Sequence, residues 1–340
     1  MIDQTPLLDV RGLCKFFPVR SKGFFRRQIA TVRAVDQVSF ALREGETLGL
    51  VGESGCGKTT CARSVLRALK PTAGQVLFRA NGRHVDLAVL PESQLKPLRT
   101  KMQMIFQDPF SSLNPRMTVE NIVGEPLTIH GLARGSGRTD RVVEMLRRVG
   151  LKAEHLRRYP HEFSGGQRQR IGIARALILR PSLVIADEAV SALDVSVQAQ
   201  VINLLADLQK ELHLTYVFVA HDLSVVRHIA DRVAVMYAGR LVELAETEAI
   251  FEDPKHPYTQ ALISAVPHPD PDVKMKFQLA GEVADPAHLP PGCSFHPRCP
   301  RRFAPCDRRR PELRPCEGGG LVACHLFDET DQPPPLGEPR

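Results

Sequence analysis

Hydrophobic and polar positions tend to alternate in several stretches of the first eighty residues. Apolar alternation and β-branched residues in Leu8 to Leu13, Ala34 to Ala41 and Gln75 to Arg79 are typical of strands. Turn signals separate these stretches at Glu44-Gly45 and at Thr72-Ala73-Gly74. We therefore expect an antiparallel β subdomain in the N-terminal part of the chain.

Helical periodicity appears further along the chain. Val119 to Arg158, and Arg138 to Val149 above all, carry apolar residues at helical spacing, which predicts a helical insertion. Beyond it, predicted helices alternate with short apolar strands: Gly166 to Leu179 (helix), Leu183 to Ala186 (strand), Val197 to Leu212 (helix), Thr215 to Ala220 (strand) and Leu223 to Ala230 (helix). Such alternation is typical of an α/β fold, with a parallel sheet flanked by helices.

A glycine-rich loop lies between the apolar strand Leu48 to Val51 and a helix-forming stretch, Thr59 to Leu69. The loop reads Gly52, Glu53, Ser54, Gly55, Cys56, Gly57, Lys58 and Thr59, and Thr60 follows it. This order fits the G-x-x-x-x-G-K-[ST] pattern, in which backbone N–H groups cradle phosphates. Lys58 is expected to reach the β- and γ-phosphates and Thr59 to ligate Mg²⁺, so the loop and Thr60 indicate an ATP site.

Polar residues also follow three of the predicted strands, at the ends where open α/β sheets bind ligands. Asp187 and Glu188 come directly after Leu183 to Ala186; we expect Asp187 to hold Mg²⁺ and Glu188 to activate the attacking water as a general base. Gln107 follows the strand-like stretch Met102 to Phe106, and His221 follows Tyr216 to Ala220. Taken singly they are an ordinary loop glutamine and an ordinary capped or buried histidine, but beside a phosphate loop they become candidates for the catalytic site.

A second glycine motif, Ser164-Gly165-Gly166-Gln167, opens a predicted helix. Backbone N–H groups at a helix N-terminus attract anions, and the helix dipole strengthens the attraction. Together with the phosphate loop, this segment resembles the signature of the ATP-binding-cassette (ABC) family, and the resemblance covers about residues 7 to 330. It implies that the signature of one subunit closes over the ATP held by another.

The same resemblance implies further roles. Gln107 is similar to the residue that ligates Mg²⁺ and links the site to the transmembrane partner, and His221 to the γ-phosphate sensor. Phe17 stands where the family stacks an aromatic ring on adenine, and Asp194 lies in the loop that runs between the two sites. The chain departs from the family pattern at two positions, where Phe163 replaces the usual Leu and Ala189 the usual Pro. Neither departure removes a catalytic group, so an active ATPase is expected.

Two longer segments narrow the resemblance to the ATPases of dipeptide and oligopeptide importers. These are Gln107 to Arg116 and His256 to Leu262, and the Cys-bearing tail points to the second, dipeptide-type ATPase. The implied function is import of di- or oligopeptides, with nickel, glutathione or another small solute as alternatives. The implied partners are two transmembrane permease subunits, a second nonidentical ABC ATPase and an extracytoplasmic peptide-binding protein.

The alternative function is that of a soluble ABC protein acting on nucleic acid or ribosomes. Such proteins generally have two cassettes or a long coiled coil, and this chain carries neither.

Composition and charge agree with a peripheral subunit. The formal net charge of +7 is scattered along the chain and does not by itself predict nucleic-acid binding. No apolar stretch approaches the roughly 18 to 20 residues of a membrane span, and the N-terminus has no secretory signal. These features predict a cytosolic location, and the resemblance to importer ATPases implies a peripheral position at the cytoplasmic face of the inner membrane. Ser21 to Arg27 is a candidate for contact with lipid headgroups, although we favour a solvated loop there.

Five of the eight cysteines crowd into the tail, which suggests metal ligation in a reducing compartment. The candidate ligands are Cys293, Cys299, Cys306 and Cys324, with Cys316 as an extra thiol and His296 or His325 as possible substitutes. The four lack the tight pairs of structural zinc sites, whereas iron–sulfur clusters tolerate varied spacing. Arginines such as Arg298 are expected to favour the thiolates. The resemblance likewise implies a [4Fe-4S] cluster, with zinc and unligated thiols as alternatives.

The amino-acid composition of the chain changes near Ile250, where a Pro-rich and Cys-rich segment begins. We expect an ABC ATP-binding domain at residues 7–250, with a helical subdomain at about 108–165, and an importer-type extension at 251–340. The predicted fold class is thus an α/β P-loop NTPase core with an N-terminal antiparallel β subdomain, a helical insertion and a C-terminal appendage.

Overall fold

The computed structural model describes residues 5–20, 28–108, 112–265, 281 and 283–328. Ser21 to Arg27 and residues 109–111 of the importer-like segment lie outside this range. The chain divides into two compact units. The first unit comprises Met1–Asp9, Ala41–Thr47 and Leu77–Ala220; the second comprises Val10–Phe40, Leu48–Val76 and His221–Arg340.

A parallel sheet forms the centre of the first unit. Its strands lie in the order Thr215–Val219, Leu183–Asp187, Met102–Ile105, and Leu183 is in register with both Thr215 and Met102. Every residue of the first two strands is buried, because their continuous Val, Ile, Leu and Phe content suits a strand covered on both faces. The predicted strands are confirmed.

The helical insertion is also confirmed in the first unit. It contains the helices Val119–Ile129 and Gly135–Arg148, followed by a short 3₁₀ helix, Ala153–Arg157. Their buried side chains include Val119, Ile122, Val123 and Leu127 on one helix and Val142, Met145 and Leu146 on the other. This spacing of three and four residues places the apolar side chains on one face of each helix.

The first unit contains further helices and strands besides the parallel sheet and the helical insertion. The helices Gly165–Leu177 and Val195–Leu212 match two predicted helices. The last residues of strand Ala73–Ala80 pair antiparallel with Arg83–Asp86, and helix Glu92–Leu98 follows. The strand Arg83–Asp86 and the helix after it were not predicted.

The second unit holds a mixed sheet. Its strands lie in the order Arg314–Pro315, Gly320–Val322, Arg240–Glu246, Arg232–Tyr237, Thr47–Val51. Thr47–Val51 runs parallel to Arg232–Tyr237, and the remaining pairs are antiparallel. The strands Leu8–Arg20 and Gln28–Leu42 are neighbours in another sheet. The helices of this unit are Lys58–Val65, Leu223–Ile229, Thr247–Glu252 and Pro257–Ser264.

Two features of the second unit differ from the sequence-based expectation. The helix after the phosphate loop was predicted to reach Leu69 but ends at Val65, because Arg67 adopts a left-handed backbone with φ 59° that a helix cannot continue through. Residues beyond Ile250 belong to the same compact unit as the phosphate loop, and Gly320–Val322 extends its sheet. The domain limits 7–250, 108–165 and 251–340 stay predictions.

Across the part of the chain that the structure describes, no helix combines the length and the apolar character that crossing a membrane requires.

Candidate functional site

The phosphate loop connects the buried strand Thr47–Val51 to the helix Lys58–Val65 in the second unit. Gly52 and Gly57 have φ values of 149° and 107°, which side chains rarely tolerate. A Cβ at Gly52 would collide with the Met236 carbonyl oxygen, and one at Gly57 with the Ala34 carbonyl oxygen. Glycine is therefore needed at both positions so that the loop can pass close to neighbouring backbone.

Lys58 lies at the first position of the helix, and its side chain folds back over the loop. The Nζ atom donates hydrogen bonds to the Gly52 carbonyl oxygen (2.6 Å) and to the Glu53 carbonyl oxygen (3.1 Å). The residue is only 4% exposed. The ammonium group is thus held beside Gly52 and Glu53, the first two residues of the loop. The sequence pattern predicts that this group contacts phosphate.

The other loop residues differ in exposure. Ser54 and Gly55 are exposed, whereas Thr59 and Thr60 are half-buried at the start of the helix. The Cys56 side chain, within the loop, is buried, and burial raises the pKa of its thiol. The Cys56 carbonyl oxygen accepts a hydrogen bond from the Gly239 N–H at 2.8 Å, which anchors the middle of the loop. The assignment of these residues to ATP and Mg²⁺ stays a prediction.

Asp187 and Glu188 end the central strand of the first unit. Asp187 is 1% exposed, and Glu188 takes a left-handed backbone with φ 47°. For a residue other than glycine this conformation costs about 1–3 kcal/mol and is concentrated at functional sites. The Glu188 N–H donates to the Val219 carbonyl oxygen at 3.0 Å, which holds the turn on the neighbouring strand.

Gln107 reaches Glu188 from the loop that follows Met102–Ile105. Its Nε2 atom donates a hydrogen bond to Oε2 of Glu188 at 2.6 Å. These residues are 81 positions apart in sequence, and the parallel register of their strands brings them together. The two side chains predicted to handle the attacking water and Mg²⁺ are therefore in direct contact.

The signature segment caps the helix Gly165–Leu177. Ser164 Oγ accepts the Gln167 N–H at 3.4 Å, and Gln167 Oε1 accepts the Ser164 N–H at 3.1 Å. This capping box fixes the serine and the glutamine at the helix start. A Cβ at Gly166 would collide with Val197 Cγ1, and one at Gly165 would come within 3.6 Å of Leu193 Cδ2.

Asp194 lies between Leu193 and the helix Val195–Leu212, where it occupies the N-cap position. Because the signature glycines pack against Leu193 and Val197, the structure brings the Ser164 motif and the Asp194 loop together within the first unit. The sequence predicts both segments separately but does not predict this contact.

Phe17 and His221 are both exposed in the second unit. Phe17 is 37% exposed, and the Lys15 ammonium lies 4.8 Å from its ring centre. His221 is exposed and comes just before the helix Leu223–Ile229, whose start is capped by Asp222. Stacking on adenine and sensing of the γ-phosphate stay predictions.

The four predicted cysteine ligands converge in the second unit. Cys293, Cys299, Cys306 and Cys324 line one small cavity together with His296 and His325. Within the described ranges, however, no group of three or more His, Cys, Asp or Glu residues has an arrangement that could hold a metal ion. Four cysteines around one cavity match the number of thiolate ligands that a [4Fe-4S] cluster requires. Their side chains are not arranged as a metal site, so the cluster stays a prediction.

Arginines favour the thiolate at Cys299, as expected, but burial acts more strongly in the opposite direction. Burial raises the pKa of the Cys293 thiol to about 11 and that of Cys324 to about 12. Arg301 and Arg302 lower the pKa of Cys299, but burial outweighs them and the net direction is upward. Burial therefore favours the neutral thiol over the thiolate at Cys293, Cys299 and Cys324.

Two residues at the phosphate loop were not predicted to act there. The Tyr258 hydroxyl accepts the Glu53 N–H at 2.9 Å, and Arg298 makes two hydrogen bonds to the Glu53 carboxylate. Tyr258 lies in the importer-like segment His256 to Leu262, so the sequence singled it out without indicating its partner. Arg298 was assigned to the cysteines, and nothing in its sequence context indicates Glu53.

Comparison with known proteins places these features in context. Residues 35–191 match the family described as ABC transporter, and residues 242–306 match the family described as the oligopeptide/dipeptide transporter, C-terminal region. The oligopeptide transport ATP-binding protein AppF of Bacillus subtilis is 52% identical over 329 residues, which are 96% of this chain and 98% of that protein. The putative oligopeptide transport ATP-binding protein YkfD of Bacillus subtilis is 51% identical over 332 residues, with the same two coverages.

Solved structures give the same picture. The dimeric post-hydrolysis structure of the ATP-binding cassette MJ0796, bound to ADP and Pi, is 28% identical with a TM-score of 0.61 and covers 71% of this chain and 98% of its own. The structure of cbiO1 from Clostridium perfringens, part of the ABC transporter complex cbiONQ, is 26% identical with a TM-score of 0.61 and covers 73% and 91%.

Proposed function

This chain belongs to the family of ABC transporter ATP-binding proteins, and we propose that it is the ATP-hydrolysing subunit of an importer for dipeptides or oligopeptides. The hydrogen bond of 2.6 Å between Gln107 and Glu188 is the observation that carries the catalytic part of the proposal. It joins the candidate general base to the residue that would pass the state of the site to a permease. Identity to relatives named for oligopeptide transport over 96% of the chain supports the solute class.

The proposed catalytic sites are composite. Gly52–Thr59 would hold the phosphates and Mg²⁺ of one ATP, with Asp187 and Gln107 as further Mg²⁺ ligands and Phe17 against the adenine. Ser164–Gln167 would close over the ATP of a partner ATPase, and Asp194 would lie along the path between the sites. The capping box satisfies the N–H groups of Ser164 and Gln167, so those of Gly165 and Gly166 are the ones that would meet an anion at the start of this helix. Dimeric cassettes among the similar structures provide a precedent for such pairing.

The proposed assembly contains two transmembrane permease subunits, a second nonidentical ABC ATPase and an extracytoplasmic peptide-binding protein. The chain would act peripherally at the cytoplasmic face of the inner membrane. Closure of the ATPase pair around ATP would be transmitted through Gln107 and the helical insertion, and hydrolysis would reopen the pair.

The solute is tested by identifying the ligand that the cognate binding protein retains. We expect mass spectrometry of the purified binding protein to find di- or oligopeptides. The reconstituted complex should then show peptide-stimulated ATP hydrolysis, because loaded binding protein favours closure of the ATPase pair. The same binding protein, stripped of ligand, is the control. Retention of a nickel complex or glutathione, with no response to peptides, would contradict peptide import.

We also propose that Cys293, Cys299, Cys306 and Cys324 hold a [4Fe-4S] cluster. The support is chemical: four thiols from separated positions line one cavity, which matches the cysteine ligation such clusters require. A bound cluster would cross-link this segment and keep its cysteines as thiolates. Ligation requires the thiols to lose their protons and to move from the arrangement described above.

Iron and sulfide analysis of anaerobically purified protein tests the cluster. We expect about four irons and four sulfides per chain. Cys299→Ser should lower both, because it removes a ligand, whereas Cys316→Ser is the matched control because Cys316 does not line the cavity. A colourless, iron-free protein that contains zinc would contradict the proposal.

A further inference from the structure

The cysteine-bearing segment makes a direct contact with the phosphate loop through one arginine. The Arg298 guanidinium donates to both carboxylate oxygens of Glu53, at 2.8 Å and 3.1 Å. The Arg298 side chain is 6% exposed and that of Glu53 is 24% exposed, so solvent screens this ion pair only weakly. A bidentate arginine–carboxylate pair fixes both distance and orientation.

Glu53 is held from a second side by Tyr258. The Tyr258 hydroxyl accepts the Glu53 N–H at 2.9 Å, while the Glu53 carbonyl oxygen accepts Lys58 Nζ at 3.1 Å. The N–H, the carbonyl and the carboxylate of this residue therefore each have a partner. Glu53 is therefore held at three points, directly after the first glycine of the loop.

Arg298 is itself held rigidly in the second unit. It ends the 3₁₀ helix His296–Arg298, and its N–H donates to the Phe295 carbonyl oxygen at 3.0 Å. Phe295 is 1% exposed, and its ring centre lies 5.3 Å from Tyr237 and 5.4 Å from Tyr258. This buried aromatic cluster fixes the backbone that carries Arg298.

We propose that Arg298 is a positioning residue for the phosphate loop: it holds Glu53, and through Glu53 it sets the affinity of the site for ATP. A loop that is already arranged around phosphate binds it without an ordering cost. Loss of the ion pair would leave Glu53 as a partly buried, unbalanced charge and let the loop take other conformations. The proposal rests on the assignment of Gly52–Thr59 as the ATP site.

The test measures ATP affinity and steady-state kinetics for Arg298→Gln, Glu53→Gln and the double variant. We expect each single variant to raise the Kd and the KM for ATP by about tenfold, with kcat at saturating ATP within about twofold. The double variant should be no weaker than either single variant, because both substitutions remove the same interaction. Arg298→Lys should restore part of the affinity, since it keeps the charge but loses the bidentate geometry.

Controls separate this role from a structural one. Arg308→Gln is the matched control, because Arg308 lies in the same segment with its side chain 84% exposed. A purely structural loss would lower the amount of active protein, and hence the apparent kcat, while leaving KM unchanged. Glu53→Gln leaves the cysteine-bearing segment intact, so it tests the link even if Arg298→Gln fails to fold.

The results that overturn the proposal are distinct from those that overturn the ATP site. Wild-type ATP affinity in Arg298→Gln or Glu53→Gln, or effects that add fully in the double variant, would overturn the positioning role. Wild-type affinity in Lys58→Ala would instead overturn the assignment of the phosphate loop itself.

Discussion

Replacing Lys58 by alanine should abolish measurable ATP binding. The ammonium group is hydrogen-bonded to two carbonyl oxygens of the loop and the residue is only 4% exposed, so we expect it to meet phosphate with little reorganisation. Charge-assisted hydrogen bonds are worth about 1.5–3 kcal/mol each. Loss of those to the β- and γ-phosphates should therefore lower affinity by at least about a hundredfold, measured by equilibrium binding or calorimetric titration with ATP.

The control for this variant is Lys70→Ala. Lys70 is exposed and lies just beyond the same helix, so its removal changes the net charge equally but leaves the loop intact. Lys70→Ala should bind ATP like the wild type. Because alanine at position 58 also removes the hydrogen bonds to the loop, thermal unfolding without nucleotide must show that the variant is folded. A folded Lys58→Ala protein with wild-type affinity would contradict the site.

Replacing Glu188 by glutamine should preserve ATP binding but lower turnover by about 10² to 10⁴. Glutamine has nearly the same shape, and its side-chain oxygen can still accept the hydrogen bond from Gln107 Nε2. The geometry is thus retained, whereas the carboxylate that would take the proton from water is lost. Without hydrolysis, the ATP-bound pair of ATPase subunits should stay closed.

Two measurements check this variant. Single-turnover phosphate release should be slow, and size-exclusion chromatography in ATP should show a persistent ATPase pair. Glu211→Gln is the matched control, because the Glu211 side chain is 52% exposed and pairs with Arg148 in the same unit. This variant should hydrolyse ATP normally. Normal turnover in Glu188→Gln would refute its assignment as the general base.

The elements around the site could be predicted from sequence because their signals are local. The strand Leu183–Asp187 is a continuous apolar run, and the helices Gly165–Leu177 and Val195–Leu212 have clear periodicity and caps. The strand Arg240–Glu246 and the short pairings near Gly320 were missed. Gly320–Val322 is a strand because Arg240–Glu246 provides its hydrogen-bond partners, and such pairing has no signal at short range.

The sequence alone determined the chemistry of this protein. A phosphate loop, a strand ending in Asp187 and Glu188, and a signature at Ser164 are short motifs, and their residue types and spacing already predict phosphate binding and water activation. Tertiary structure decided which side chains meet. Gln107 contacts Glu188, 81 residues away in sequence, and Arg298 contacts Glu53, 245 residues away. Arg298 was expected to act on the cysteines, but it pairs with Glu53. The physical reason is that motifs act through local backbone geometry, whereas such contacts depend on strand register and on the packing of buried aromatic rings.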